Sequence, residues 1–258
     1  MRFFGLIGKS LEHSFSPVFF KEKFEKEGIQ DSYYQLFPLN TIDEFNQLIN
    51  DFSELTGVNV TIPYKQSIIQ FLDEIDVNAK EIGAVNTIKF ERINSKLKLK
   101  GYNTDYLGFI DSLKPYLKDY HKSALILGTG GSSLAIAHAL KKLSINYIKV
   151  SRNPVKEVMS YDSLTDEILN EFKLIINTTP LGMFPDVLSY PQIPYSAITK
   201  DHLLFDLTYN PNKTVFLKKG EENGATIING AGMLINQAEY AWKIWNNIPF
   251  SDSSEMLL

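Results

Sequence analysis

Five short apolar runs in the second half of the chain constrain its fold more than any other feature: ALIL (124–127), YIKV (147–150), LIIN (174–177), LLFDL (203–207) and ATII (225–228). Each is too short for a helix and reads as a fully buried parallel strand. Amphipathic segments such as SSLAIAHALKKL and TVFLKKGEEN separate several of them. Alternating strand and helix signals predict an α/β fold with an open parallel sheet and helices on both faces. Every run passes at once into small, polar or turn residues: GTGG, SRN, TTPLG, TYNP and NGAG. Ligands of such sheets bind beyond the carboxyl ends of the strands, so five of these edges in a row predict one binding crevice.

The first hundred residues are mixed as well. RFFGLIG, YYQLFPL, GVNVT, AVNTIKF and KLKLKG read as strands, and helical patterns begin near Pro17, Ile42 and Pro63. In KQSIIQFLDEI the apolar Ile68, Phe71, Leu72 and Ile75 have helical spacing, and Pro63 suits a first helical position. Lys65 is thereby expected in the first turn of a helix, an end that favours Asp and Glu. Violations of a local rule tend to be found at functional sites. A domain boundary is expected at KGYNTDYLG, where a helix over about 104–117 leads into the second sheet. The last helical pattern, MLINQAEYAWKIWNN, is expected to pack back on the first domain. The predicted division is 1–103 with the C-terminal helix at about 236–258, against 104–235. The tail after Pro249 reads as loose.

Bulk composition narrows the function classes. The 258 residues are 44% hydrophobic and 22% charged, enough for a sizeable core without staples. A net charge of −4 with no basic run leaves no footprint for nucleic acid or an anionic membrane, so neither partner is expected. The absence of cysteine excludes disulfides, thiolate nucleophiles and Cys-based metal sites, and fits a reducing compartment. The apolar patch in MRFFGLIGKS is too short for a secretory h-region, and no run approaches the ~18 apolar residues of a membrane span. The expectation is a cytoplasmic monomer or homodimer that acts on a small molecule, with no metal.

LILGTGGSSLAIAHAL joins a strand, a glycine turn and a helix. Gly128 and Gly130 fill the first two positions of G-x-G-x-x-G, Ser133 takes the third, and Gly131 adds another glycine. The pattern serves a tight turn and a backbone that approaches a pyrophosphate at a helix N-terminus. Its setting between strand and helix supports dinucleotide binding. The next strand, YIKV, would end on an Asp or Glu if the ligand were NAD. Ser151-Arg152-Asn153-Pro154-Val155-Lys156 follows instead. Arginine there suits the 2′-phosphate of NADP, because guanidinium pairs with phosphate oxygens.

Polar residues of the first half cluster by pattern. Period two places Asn59 and Thr61 on one face of GVNVT, near Lys65. Asn86 and Thr87 interrupt the apolar run of IGAVNTIKF. Ser14 and Ser16 fall on one side if HSFSP is extended, but Ser16 before Pro17 equally suits a helix cap. Asp105 in NTDYLG also suits an ordinary first helical turn.

Taken in order, HSFSP, GVNVTIPYK, IGAVNTI, GYNTDYLG, LGTGGSS, INTTPLGM, DLTYNP and NGAGMLINQ resemble the motifs of the shikimate dehydrogenases, from about residue 5 to about residue 245. N-V-T-x-P-x-K with G-A-V-N-T and N-T-D is far more specific than the glycine loop. The resemblance implies an N-terminal α/β substrate domain and a Rossmann-like, doubly wound parallel-sheet nucleotide domain, with substrate in the cleft. It implies NADPH-dependent reduction of 3-dehydroshikimate to shikimate, a step toward chorismate and the aromatic amino acids. By motif, Ser14 and Ser16 would hold the substrate carboxylate. Asn59, Thr61, Asn86 and Gln237 would bond its carboxylate or hydroxyls, with Tyr209 nearby. Lys65 and Asp105 would be the catalytic pair. Hydride addition to a ketone builds negative charge on oxygen, and a cationic donor there stabilises it and delivers the proton.

NADP would be held by Gly128, Thr129, Gly130, Gly131, Ser132, Ser151, Arg152, Asn153, Lys156 and Thr178. Gly230 and Met183 or Met233 would lie near its nicotinamide. Retention of Ser-x-Ser favours shikimate over quinate. Thr129 and Ser132 depart from the family's usual G-A-G-G-A, and Ser151-Arg152-Asn153 from its usual N-R-T. Ser-x-Ser and N-T-D argue against the methylene-tetrahydrofolate type of two-domain dehydrogenase. A nucleotide-sensing module has no need of Lys65, Asp105, Asn86 and both serines together.

Overall fold

A computed structural model describes residues 1–94 and 96–250; the expected loose tail lies, from 251 on, outside the described residues. The chain divides into two compact units, Met1–Thr104 with Ala238–Leu258, and Asp105–Gln237. The second unit is thus an insertion between two pieces of the first.

The first unit contains β1 (Arg2–Gly8), α1 (Ser16–Glu27), β2 (Ser32–Pro38), α2 (Phe45–Asp51), β3 (Leu55–Val60), β4 (Glu74–Ile75), α3 (Val77–Ile82), β5 (Thr87–Ile93) and β6 (Lys96–Tyr102). They form a six-stranded mixed sheet in the order β2-β1-β3-β5-β6-β4. β1 is parallel to both β2 and β3, whereas β5 is antiparallel to β3 and β6. Strand alternation puts Ile7 and Phe4 on opposite faces. Ile7 joins Val58, Val60, Ile88, Ile68 and the α2 residues Phe45 and Leu48 in one core.

The second unit contains α4 (Asp105–Leu113), β7 (Ser123–Leu127), α5 (Gly131–Lys142), β8 (Asn146–Ser151), β9 (Val158–Ser160), α6 (Asp166–Glu171), β10 (Leu174–Asn177), β11 (Leu203–Asp206), α7 (Val215–Glu222) and β12 (Thr226–Ile228). Its sheet runs β12-β11-β10-β7-β8-β9, with every pairing parallel. Counted within the unit, that is the doubly wound order 3-2-1-4-5-6 read in reverse, with the switch point between β7 and β10. β7, β10 and β11 carry the buried apolar runs. β8 and β12 are only partly covered. The three residues of β9 carry no apolar run, so nothing in the sequence marks them as a strand.

The final helix, α8 (Ala231–Trp245), begins in the second unit and ends in the first. Its Ala238, Ala241, Trp242 and Trp245 pack with Phe4 of β1 and with Phe20 and Phe24 of α1. This is the expected return of the last helix to the first domain. Trp245 Nε1 donates to the Ile88 carbonyl at 3.0 Å, and Lys23 of α1 reaches Glu239 at 2.8 Å. The indole fits because position 57 is glycine: a Cβ on Gly57 would collide with the Trp245 ring.

Two local expectations are corrected. No α-helix follows Pro63: residues 62–66 are turns around a cis Ile62–Pro63 bond, then a 3-10 helix spans Ser67–Phe71. The helical spacing was real as burial, since Ile68 is in the core with Phe71, Leu72 and Ile75 packed against it. Pairing of β4 with β6 and the Asp73 carboxylate's acceptance of the Leu99 amide at 2.7 Å end the segment before a helix can extend. Lys65 therefore stands in a turn. Ser16 is likewise no cap: Phe15 is the N-cap residue of α1, in helical conformation, with no side-chain capping bond. HSFSP is accordingly not extended.

The packing makes two outcomes measurable. Gly57→Ala overpacks the Trp245 site and lowers unfolding free energy by about 1–3 kcal/mol, measured by denaturant titration. The second concerns His121 and His202, both buried before strands of the second unit. Their Nδ1 atoms accept the Lys118 and Thr199 amides at 3.0 Å, and their Nε2 atoms face the carbonyls of Asp201 and Leu169. Protonation would set Nδ1–H against an N–H group. Burial holds both histidines below the ordinary 6.5. In that case the unfolded chain binds protons before the fold does, so stability is full above roughly pH 6.5 and falls below it. Melting temperature should fall from about pH 6.5 to about pH 5, with a shallower slope in a His121→Gln, His202→Gln double variant. An equal slope in the two proteins would refute the assignment.

Candidate active site

One edge of the first sheet gathers most of the polar residues singled out in the sequence. β1 and β3 are parallel, with Ile7 beside Val60, and both end there. β5 is antiparallel to β3 and begins there, Asn59 facing Thr87, while β6 ends opposite Thr87 at Tyr102. Loops leaving this edge carry Ser14, Thr61 and Lys65, then Asn103 and Thr104, with Asp105 next in the chain.

Asn86 organises the edge. Its side-chain oxygen accepts the Thr104 amide at 2.7 Å and the hydroxyls of Thr104 and Thr87 at 3.2 and 3.1 Å. Its Nδ2 donates to Thr104 Oγ1 at 3.0 Å, and its main-chain carbonyl accepts the Val60 amide at 2.8 Å. The neighbouring Val85 amide donates to the Lys65 carbonyl at 2.7 Å. Asn86 thus fixes the end of β3 and Thr104, the residue before Asp105, while its neighbour Val85 holds the turn of Lys65. Asn59 is buried beside it, with Nδ2 on the Asn86 carbonyl and Thr87 Oγ1, and Oδ1 accepting the Tyr34 hydroxyl at 2.8 Å. Thr61 is half-buried past the strand end, and its amide bonds the Ile7 carbonyl. Asp105 is buried and opens α4.

The serines are linked through a turn. Ser14 Oγ accepts the Ser16 amide at 3.3 Å, and Ser16 is buried. The pair is linked by this bond, and the alternation expected of an extended segment is not present.

The carboxyl edge of the second sheet gathers the rest. Gly128 follows β7 with φ of 107°, a conformation that favours glycine, and a Cβ there would stand 2.8 Å from Thr178 Oγ1. The glycine turn and the Thr178 loop therefore touch at the switch point. Gly130 is the N-cap of α5 with no side-chain cap, and a Cβ on Gly130 or Gly131 would meet nothing within 4 Å. Thr129 is exposed and Ser132 half-buried beside this open backbone. Ser133, at the third glycine position, is fully buried and donates to the Gly130 carbonyl at 2.7 Å, closing the turn. This arrangement can receive a phosphate-bearing ligand on the N-terminus of a twelve-residue helix.

Ser151 ends β8, and Arg152, Asn153 and Lys156 are exposed after it, with Ser151 Oγ accepting the Asn153 amide. Met183 is 47% exposed, whereas Met233 is buried, so Met183 is the accessible member of that pair. Tyr209 is half-buried after β11, and the Gly230 amide after β12 donates to the Thr208 carbonyl. Gln237, in α8, donates to the Leu234 carbonyl at 2.9 Å.

Two buried residues beneath this edge were not singled out. Asp206 is fully buried and accepts from Thr214 Oγ1 at 2.6 Å, the Thr208 amide at 3.0 Å and Asn177 Nδ2 at 3.1 Å. Burial pushes its carboxyl up, opposed by those same hydrogen bonds. Asn177 in turn accepts the Thr179 amide and hydroxyl. The pair ties the loop bearing Thr178 and Met183 to the loop bearing Tyr209. The signal was present: an acid and an amide each close an otherwise apolar run.

Among the described residues no group of three or more His, Asp or Glu is placed to hold a metal ion, and no helix is long and apolar enough to cross a membrane.

Comparison with known proteins reaches both units. Residues 6–88 match the family model described as the shikimate dehydrogenase substrate binding domain. A shikimate dehydrogenase (NADP(+)) of Clostridium botulinum is 40% identical, over 93% of this chain and 95% of that protein. A shikimate dehydrogenase crystallised in complex with NADP+ superposes with a TM-score of 0.85 at 35% identity, covering 100% of this chain and 93% of that one. The enzyme of Thermus thermophilus in complex with NADP(H) and shikimate gives 0.84 at 27% identity, with 100% and 97% covered. Similarity at this level, over nearly the whole chain, establishes that the chain belongs to the shikimate dehydrogenase family.

Proposed function

We propose that the chain catalyses the reversible, NADPH-dependent reduction of 3-dehydroshikimate to shikimate, in the pathway that leads to chorismate and the aromatic amino acids. The observation that carries this is the 40% identity to a named NADP(+) shikimate dehydrogenase along 93% of the chain, a span that takes in both units. The proposal assigns Met1–Thr104 and the end of α8 to substrate binding and catalysis, and Asp105–Gln237 to NADP. It includes a cytoplasmic location and a monomer or homodimer.

The residues present fit the cofactor. The open backbone of Gly130 and Gly131 at the start of α5 suits a pyrophosphate, and exposed Arg152 and Lys156 suit a 2′-phosphate. Thr129, Ser132, Ser151, Asn153 and Thr178 complete this side, with Met183 and Gly230 toward the nicotinamide. When bound, NADPH supplies the hydride. Lys65 donates the proton to the carbonyl oxygen and stabilises the charge that builds there, with Asp105 as its partner. Ser14 and Ser16 bind the substrate carboxylate, while Thr61, Asn86 and Gln237 bond its polar groups beside Tyr209. Asn59 has both Nδ2 bonds committed to neighbours and holds the edge together.

Spectrophotometric assay of shikimate oxidation, run with NADP and then NAD, tests the reading; turnover restricted to quinate and NAD would replace it. Lys65→Ala should lower kcat at least ~10²-fold with little change in KM, as expected for proton-transfer assistance. A raised KM with kcat intact would make Lys65 a binding residue only. Ser14→Ala should do the reverse. Arg152→Ala should raise the KM for NADP about tenfold or more and leave that for NAD nearly unchanged, as loss of a charge-assisted phosphate contact requires.

A further inference from the structure

Three loops at the carboxyl edge of the second sheet are hydrogen-bonded into one body, with the loop after β11 as its middle member. That loop meets the loop after β10 where the Asn210 carbonyl accepts the Phe184 amide at 3.1 Å, one residue past Met183. It meets the loop after β12 where the Thr208 carbonyl accepts the Gly230 amide at 3.0 Å and the Asn212 carbonyl accepts Asn229 Nδ2 at 2.9 Å. Gly230 lies so near that a Cβ on it would collide with the Leu207 carbonyl. Met183 and Gly230, the two residues assigned to the nicotinamide, are therefore fixed to the same loop.

The path of that middle loop is set from below by the fully buried Asp206. Its Oδ1 accepts the Thr208 amide at 3.0 Å and Asn177 Nδ2 at 3.1 Å, and its Oδ2 accepts Thr214 Oγ1 at 2.6 Å. One carboxylate thus holds both ends of the segment 208–214. A carboxylate only accepts, so each partner's proton direction follows. Thr214 gives its proton to Asp206, and its oxygen accepts the Leu217 amide and caps α7. Asn177 turns Nδ2 toward Asp206 and Oδ1 toward the amide and hydroxyl of Thr179, which leads into the loop of Met183.

We propose that Asp206 is a positioning residue for hydride transfer: by fixing the loop after β11 it sets where Met183 and Gly230 meet the nicotinamide, and it has no role at the 2′-phosphate end. The inference rests on reading the chain as an NADP-dependent dehydrogenase with those two residues toward the nicotinamide. The carboxyl is buried beneath the loops, so it acts through them and not by touching a ligand. Misplacing reacting groups by about 1 Å costs on the order of 10²-fold in rate.

Asp206→Asn is the test. It keeps the shape but replaces one acceptor with an N–H donor, which then faces a donor, either the Thr214 hydroxyl or the Thr208 amide. The kcat for shikimate oxidation with NADP should fall about ten- to hundredfold. The inhibition constant of adenosine 2′,5′-bisphosphate, which carries the 2′-phosphate and lacks the nicotinamide, should stay within about twofold of wild type, as expected if only the nicotinamide end has moved. Thr214→Val, which removes the donor to Oδ2, should show the same split, and Thr214→Ser, which keeps it, should recover most of the lost kcat. An Asp206→Asn kcat within about twofold of wild type overturns the inference, since misplacement should cost far more. So does an equal weakening of turnover and of bisphosphate binding, which makes Asp206 a general support of the nucleotide unit. If Asp206→Asn does not fold, the Thr214 pair decides: an unaltered kcat in Thr214→Val, a loss that Thr214→Ser shares in full, or failure of Thr214→Val to fold overturns the inference. A wild-type protein that does not oxidise shikimate with NADP overturns the functional reading and this inference with it. Wild-type turnover with an unaltered Asp206→Asn kcat overturns the inference alone.

Discussion

The Thr104 amide donates to the Asn86 side-chain oxygen at 2.7 Å in a buried setting, and the arrangement of the first unit's edge depends on that contact. An amide side chain buried at a strand junction must have its donors and acceptors filled, because unmet polar groups there cost about 1–3 kcal/mol each. Asn86 meets the requirement by binding three pieces of chain at once: the end of β3, the exit of β6 and, through its neighbour Val85, the turn of Lys65. Satisfying a local polar demand and aligning chemically useful residues are the same act here. Removing the amide would leave the Thr104 N–H and the Thr87 hydroxyl without this acceptor.

The second unit solves a parallel problem with a buried acid. Strands in a parallel sheet release their loops at one edge, and the loops at a switch point diverge to opposite faces. Asp206 and Asn177 tie the loops after the neighbouring β10 and β11 together from below. Above them, Gly128 allows the loop after β7 to touch the loop after β10. The open backbone at Gly130 and Gly131 is the visible result.

Much of this was legible from residue order. The five apolar runs of the second half mark five of its six strands, and in β7, β10 and β11 the run is buried as a parallel strand covered on both faces must be. Asn86 announced itself by interrupting an apolar run, and the glycine turn by its place between a strand and a helix. What stayed hidden was decided by contacts distant in sequence. The spacing of Ile68, Phe71, Leu72 and Ile75 describes burial correctly, yet pairing with β6, more than twenty residues on, turned a helix signal into a 3-10 turn and a two-residue strand. Ser16 looked like a cap because Pro17 follows it, whereas the helix starts one residue earlier, with Phe15 at its N-cap. Tyr34, in an aromatic-rich strand pattern, carries no sign that its hydroxyl reaches the Asn59 side chain.

The insertion of the second unit into the first has a consequence for biosynthesis. Residues 105–237 leave the ribosome as one continuous stretch and can close their core as soon as they emerge. The first unit begins earlier and finishes later, since Trp242 and Trp245 cover Phe4, Phe20 and Phe24 only when the last helix arrives. Until then a nascent chain carries an uncovered aromatic face near its start, the kind of surface that chaperones bind and that aggregates when translation stalls. A chain truncated at residue 237 would carry that face permanently.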